Sequence, residues 1–198
     1  MVSAHGSQQP IVFIQCGPIR YKAVASAQSI HQMNVIPRVQ EGPITVADSD
    51  RIQDVFRVLT LDVERTNRIV DDVCNAYSAG RKVLRLTERA EHIEILREAL
   101  GDRIAQLFIL HGKMPRKQRS AMIQSLEALD GDCARVLLAT GKLVGEGFDH
   151  PPLDTMVLAM PVSWQGTLQQ SAGRLHRDHA NKSDVLIYDY VHGDEKTL

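Results

Sequence analysis

Short apolar runs alternate with amphipathic helical patterns over the C-terminal two-thirds of this chain. Five runs have the length and composition of strands, at residues 83–86, 104–110, 135–139, 155–160 and 185–190. Helical patterns follow the first, second and fourth of these runs. Such alternation is typical of a parallel sheet that is covered by helices on both faces. The sequence therefore predicts an α/β fold.

The helical segments carry start and stop signals. Two helices are predicted ahead of the first run, one over 50–59 and one that is capped by Thr60 and ends at Gly80. Thr87 is expected to cap the next helix, and Pro115 suits the first turn of the helix after the second run. The first of these two helices is predicted to turn three residues inward, namely Ile93, Leu96 and Leu100.

Composition narrows the class of protein. The chain has 198 residues, 43% hydrophobic and 24% charged, which suits a globular protein. Its formal net charge of −1 means that any surface for nucleic acid must be local. Three dispersed cysteines without a Cys-x-x-Cys pair predict reduced thiols in a cytoplasmic protein. No apolar run has the length of a membrane span, so no membrane partner is expected.

Residues 170–177 read Gln-x-x-Gly-Arg-x-x-Arg. Ser163 can cap a helix over 164–175, on which Arg174 and Arg177 leave one face because they are three residues apart. Gly173 lets another backbone or a ligand come close. Two forked cations beside a bare backbone suit a polyphosphate. Taken alone, this stretch fits a solvated arginine pair at a helix C-terminus better, and only a second motif upstream favours the phosphate.

A second motif, Leu-Ala-Thr-Gly-Lys-Leu-Val-Gly-Glu-Gly-Phe-Asp, occupies residues 138–149. The apolar run 135–139 ends in Thr140, and three glycines follow. A buried strand that feeds a glycine loop presents backbone N–H groups at its carboxyl end. Asp149 is expected at the rim, with oxygens that can accept from a hydroxyl.

Together the two motifs resemble motifs V and VI of superfamily-two helicases and translocases. The stretches LAMPVSWQGTLQQSAGRLHR and VLIYDYV extend the likeness, which covers residues 81–191. The chain resembles the C-terminal RecA-like lobe of DEAD/DEAH-type helicases, in the branch near the translocating subunits of type III restriction enzymes. This implies an inter-lobe linker or extension over 1–45 and the domain over 46–198. The alternative for the N-terminal part is a strand that adds to the domain's own sheet.

The resemblance assigns residues to ATP. Arg174 and Arg177 are implied as catalytic arginine fingers, and Asp149 as the acceptor for the ribose hydroxyl. Further nucleotide-facing positions are implied at Gly145, Gly147, Gln170 and Gly173. The cofactor is ATP with Mg²⁺, and the resemblance implies that the metal is held mainly by a missing N-terminal RecA-like lobe.

Nucleic acid is the second implied partner, DNA in the first place and RNA as the alternative. Candidate contacts are Thr87, Gly112, Lys113, Thr140 and Lys142. The alternatives are a helix cap at Thr87 and a solvated basic helix face beyond Lys113.

Half of a nucleotide site is missing from this sequence. A Walker A loop ends in Gly-Lys followed by Ser or Thr, whereas Met114 and Leu143 follow the two Gly-Lys pairs here. The chain alone is therefore expected not to hydrolyse ATP. His176 and His179 lack a third convergent ligand, so no metal site is predicted. A stand-alone binding module that acts on a partner chain remains the second hypothesis.

Overall fold

The computed structural model describes residues 32–40, 52–87, 89–140, 150–159, 173, 175, 179 and 182–192. They all belong to one compact unit, His31–Leu198. In chain order the elements are β1 (Gln32–Gln40), α1 (Ile52–Leu61), α2 (Val63–Ser78), β2 (Lys82–Thr87), α3 (Ala90–Leu100), a 3-10 turn (Gly101–Arg103), β3 (Leu107–Leu110), α4 (Arg116–Glu127), β4 (Arg135–Thr140), β5 (Thr155–Leu158) and β6 (Asp184–His192).

The strands of the described residues form one six-stranded sheet in the order β1-β6-β5-β2-β4-β3. Every neighbouring pair is parallel. The predicted α/β fold is thereby confirmed, and the order makes both β2 and β4 interior strands, each with a neighbour on either side. Every residue of these two strands is buried, as expected for strands that are covered on both faces.

Each face of the sheet has its own apolar cluster. On one face α2 and α3 pack against alternate strand residues, and the predicted inward residues Ile93, Leu96 and Leu100 are confirmed as buried there. On the other face Leu126 of α4 joins Leu84 and Leu137. Helices on both faces complete a RecA-like architecture.

The predicted cap of α2 was wrong. Asp62, not Thr60, is the N-cap, and its Oδ1 accepts from the backbone N–H of Arg65 at 2.9 Å. Thr60 lies inside α1, where its hydroxyl donates to the carbonyl of Phe56 at 2.7 Å. A carboxylate at this position satisfies a free N–H group and also meets the positive end of the helix dipole.

The cap predicted at Thr87 was also wrong. Thr87 is the last residue of β2, and α3 begins after Arg89 without a side-chain cap. Thr87 pairs with Thr140 as the end of the strand, and the N-cap position falls two residues later, at Arg89, so the threonine hydroxyl is not placed to cap the helix. Gly80 ends α2 as predicted, with a φ of +81° that glycine adopts without strain.

Strand β1 was not predicted from the sequence. This strand pairs with β6 from Gln32↔Asp184 to Gln40↔His192 and forms one edge of the sheet. In this strand, the guanidinium of Arg38 donates to both carboxylate oxygens of Asp72 on α2, at 2.7 and 2.8 Å. A strand within 1–45 was one of the two alternatives for that segment, while the boundary between 45 and 46 stays a prediction. The apolar run at 11–14 lies outside the described residues.

Candidate functional site

Two of the candidate nucleic-acid contacts lie side by side. Thr87 and Thr140 are register partners at the carboxyl ends of β2 and β4. Both are largely covered, with 2% and 8% of their surface exposed. The hydroxyl of Thr87 accepts from the backbone N–H of Arg89 at 3.2 Å. The sheet therefore brings the two threonines together at one edge, with little of either side chain in contact with solvent.

A basic loop continues this edge beyond β3. Because Leu110 of β3 pairs with Ala139, the residues after β3 leave the sheet beside Thr140. Gly112 and Lys113 are exposed, and Met114 is buried in the core cluster and anchors the loop. The backbone N–H of Met114 donates to the carbonyl of His111 at 3.1 Å and closes a turn. The candidates Gly112 and Lys113 thus follow β3 at the same edge of the sheet at which Thr140 ends β4.

Positive charge is concentrated where α4 begins. Arg116 and Lys117 are exposed, and the first turn of the helix carries no acidic residue. Cations at a helix N-terminus are opposed by the dipole, by about 0.3–1 kcal/mol each. Within the described part of the chain, Lys113, Arg116 and Lys117 form no ion pair. Arg116 and Lys117 at this position therefore lower the stability of the helix, and both remain available to bind an anion.

Most of the nucleotide candidates lie outside the described residues. These are Gly145, Gly147, Asp149, Gln170, Arg174 and Arg177, together with the nucleic-acid candidate Lys142. Gly173 is helical and exposed, and among the described residues no heavy atom outside its own helix lies within 4 Å of the point where a Cβ would be. Two residues further on, Leu175 is buried in the core cluster of the α4 face.

One buried lysine connects two segments that adjoin those candidates in the sequence. The ammonium of Lys182 donates to the carbonyls of Leu175 and Pro151, at 2.8 Å each. Next to Pro151, the ring of His150 lies 3.1 Å from Nη1 of Arg135, the first residue of β4. Arg135 is the first residue of β4, Pro151 comes shortly before β5, and Lys182 comes shortly before β6. The carbonyl of Leu175, which binds Lys182, therefore lies towards the amino ends of those strands. It is therefore at the opposite end of the sheet from Thr87 and Thr140.

Two buried arginines on the α2 and α3 face were not identified as notable from the sequence. Arg65 donates to the carbonyls of Ala159 and Tyr190 at 3.1 Å each and to Oε1 of Gln40 at 2.9 Å. It thereby ties α2 to the carboxyl ends of three strands. Arg85 lies in the middle of β2, on the same face as Thr87. A cation inside an apolar run was the signal that could have revealed it.

Arg85 is paired with a histidine instead of a carboxylate. Its Nη2 donates to Nδ1 of His92 at 2.9 Å, while its Nε and Nη1 are buried and have no hydrogen-bond partner among the described residues. Burial lowers the pKa of Arg85 to about 9. Burial, reinforced by the charge of Arg85, lowers the pKa of His92 to about 2, so this imidazole is neutral.

Neither a metal centre nor a membrane span is found in the described segments. No group of three or more His, Cys, Asp or Glu side chains there is placed to hold a metal ion. None of the helices described there is long and apolar enough to cross a bilayer. The described part of the site therefore consists of hydroxyls, backbone groups and cations, which suit phosphate.

Comparison with known proteins identifies the family. The family described as "Helicase conserved C-terminal domain" matches residues 65–179, more than half of the chain. The chain is 26% identical over 148 residues to "Transcript termination protein A18" of fowlpox virus, covering 72% of this chain and 30% of that protein. It is 27% identical over 165 residues to "Probable helicase D10" of Escherichia phage T5, covering 83% of this chain and 35% of that protein. The chain thus spans about a third of the length of these relatives.

Solved structures show the same fold. T4 UvsW superposes with a TM-score of 0.64 at 16% identity, over 81% of this chain and 32% of that one. The C-terminal part of the Fun30 ATPase domain superposes with a TM-score of 0.51 at 18% identity, over 60% of this chain and 38% of that one. With the match over residues 65–179, the chain belongs to the family of the helicase conserved C-terminal domain, and its six-stranded parallel sheet has the RecA-like fold.

Proposed function

We propose that this chain is the C-terminal half of an ATP-dependent nucleic-acid helicase or translocase. An N-terminal RecA-like lobe outside these residues would complete the ATP site. The observation that carries the proposal is the carboxyl edge of the sheet, where Thr87 and Thr140 end their strands and β3 ends beside them, followed by the exposed cations Lys113 and Arg116. Family membership supports the helicase role, and the closer affinity to type III restriction enzymes remains a prediction.

Nucleic acid would bind along this edge through its phosphates. Phosphate contacts are mostly independent of sequence and are made by cations, hydroxyls and backbone N–H groups. Lys113 and Arg116 can contact the phosphate backbone of a nucleic acid directly because both side chains are exposed. Thr87 and Thr140 are nearly covered, so they would contact a strand only at the rim. Lys142 is proposed as a further contact from the segment that follows β4.

Nucleotide would bind on the other side of the lobe. Arg174 and Arg177 would stabilise the charge that develops on the γ-phosphate, an effect of about 10³–10⁵ in rate where arginine fingers have been measured. Asp149 would accept from the ribose, and Gly145, Gly147, Gln170 and Gly173 would line the approach. The exposure of Gly173 and the anchoring of Leu175 in the core support such a placement.

Mg²⁺ is assigned to the N-terminal lobe. Across the described segments no cluster of acidic or imidazole side chains is suited to the ion, whose preferred ligands are oxygens. Mg²⁺ bound with ATP would neutralise charge on the phosphates. The residues of this chain would orient the nucleotide and would leave metal coordination to the missing lobe.

Nucleic-acid binding by the chain itself tests the first part of the proposal. The double variant Lys113→Gln/Arg116→Gln should weaken binding to single-stranded DNA and to RNA. It should also reduce the slope of log K against log [salt] by about 1–2, because each phosphate contact contributes roughly 0.7–0.9. The matched control is Arg57→Gln/Arg68→Gln, which removes two exposed cations from α1 and α2. Equal loss in both double variants would place the nucleic acid elsewhere.

ATP turnover tests the second part. The isolated chain should show none, whereas the two-lobed enzyme should hydrolyse ATP and should lose turnover in Arg177→Ala with nucleotide binding kept. Robust Mg²⁺-dependent hydrolysis by the isolated chain would falsify the half-site proposal. Turnover that appears only with a separate partner chain would favour the stand-alone module. Thr140→Ala should reduce nucleic-acid-stimulated turnover more than basal turnover.

A further inference from the structure

Lys182 bridges two segments that are distant in sequence. Its ammonium is 2.8 Å from the carbonyl oxygen of Leu175 and 2.8 Å from that of Pro151. The side chain is nearly covered, with 6% of the residue exposed. Its backbone N–H donates to the carbonyl of His179 at 3.0 Å, so the lysine's own main chain is also tied down. The ammonium is therefore held at a fixed point between the two carbonyls.

A helix cap alone would not require this geometry. Lysines commonly satisfy the last carbonyls of a helix, and the bond to Leu175 fits that role. The bond to Pro151 does not, because Pro151 belongs to the turn that leads into β5. One ammonium thus links the helical residue Leu175 to a loop 24 residues earlier in the chain. Such a link restricts how these two segments move relative to each other.

The two bonded residues have informative sequence neighbours. Leu175 stands between Arg174 and Arg177, and Pro151 stands two residues after Asp149. We propose that Lys182 is a positioning residue, which holds the main chain of the arginine-bearing stretch against the end of the glycine-rich stretch so that both face one nucleotide. This inference rests on the proposed function, because that function assigns Arg174, Arg177 and Asp149 to ATP.

The expected consequence is kinetic. Lys182 does not contact the reacting atoms in this proposal, so it acts only through where the arginines stand. Displacement of a catalytic group by about 1 Å can cost about 10²-fold in rate. Loss of the bridge should therefore lower kcat, with a much smaller change in the KM for ATP. A residue needed only for folding would instead reduce the amount of folded enzyme and would leave kcat per folded molecule unchanged.

The decisive experiment measures ATP turnover in the two-lobed enzyme. Lys182→Met should lower kcat by about 10–100-fold, and Lys182→Arg, which keeps several donors, should recover most of it. Lys82→Met is the matched control, because Lys82 is equally buried at 7% exposure but is paired with Asp154 at the start of β2. Wild-type kcat in Lys182→Met, or an equal loss of kcat per folded molecule in Lys82→Met, would overturn the proposal.

A second measurement needs no nucleotide. Trp164, the single tryptophan, lies in the sequence between the two bonded residues. In the 198-residue chain, Lys182→Met should increase quenching of its fluorescence by acrylamide, whereas Lys82→Met should not. Lys182→Gln serves if the methionine variant fails to fold. Unchanged quenching in a folded Lys182 variant also overturns the bridge. If Arg177→Ala leaves turnover intact, the proposed function fails and the quenching result alone decides on the bridge.

Discussion

Replacing Arg85 with methionine should make this protein more stable. The guanidinium is fully buried, with 0% exposed, and two of its three nitrogens find no hydrogen-bond partner in the part of the chain that the structure describes. Burial lowers the pKa of Arg85 from 12.5 to about 9, and at 1.36 kcal/mol per unit this corresponds to roughly 5 kcal/mol against the charged form. The hydrogen bond to His92 that the variant would lose is worth about 1.5–3 kcal/mol.

The net gain is therefore about 2–3 kcal/mol, within the range seen when buried charges are replaced by apolar residues. Unfolding in urea, followed by circular dichroism, measures this gain as a higher midpoint at an unchanged slope. Arg65→Met is the matched control, because Arg65 is equally buried at 1% but all its nitrogens have acceptors. That variant should lose at least about 2 kcal/mol, since it leaves buried carbonyls unpaired. A loss of stability in Arg85→Met would refute the reasoning.

The same pKa shift predicts how the gain depends on pH. Below pH 9 Arg85 is charged in both states, so the full penalty applies to the wild type. Above that pH the unfolded chain binds more protons than the folded chain, and wild-type stability contributed by this group rises with pH. The advantage of Arg85→Met should shrink by about 1 kcal/mol between about pH 8 and about pH 10. An advantage that stays constant over this interval would contradict the charged state of Arg85.

Three further changes test the fold. Asp62→Ala removes the cap of α2 and the acceptor of Gln40 and should cost about 1–2 kcal/mol in urea unfolding; a cost near zero would deny Asp62 this role. Asp72→Asn breaks the paired bonds to Arg38 and should speed hydrogen exchange in β1 more than in β4; uniform exchange would contradict a locally anchored edge strand. Gly80→Ala should cost about 1–2 kcal/mol because of the positive φ, whereas Gly112→Ala, where space is also open, should stay within about 0.5 kcal/mol.

Local patterns in the sequence determined the α/β class, the inward residues of α3 and the family. Strand and helix periods are properties of neighbouring residues, so Ile93, Leu96 and Leu100 could be placed without knowing what they pack against. Thr87 and Thr140 were each predicted at a strand end from the sequence, whereas their pairing was found only in the structure. The short motifs at 138–149 and 170–177 pointed to the helicase family before any coordinates.

Tertiary structure alone decided the rest. Strand β1 is held by β6 and by the bond from Arg38 to Asp72, partners that lie far away in the sequence. Whether Arg85 is solvated or buried depends on α2 and α3 closing over the sheet, which no pattern around β2 reveals. The bridge from Lys182 to Pro151 and Leu175 exists because three segments converge in space. Contacts of this kind are set by the packing of the whole domain, whereas the period of each element is set by its own residues.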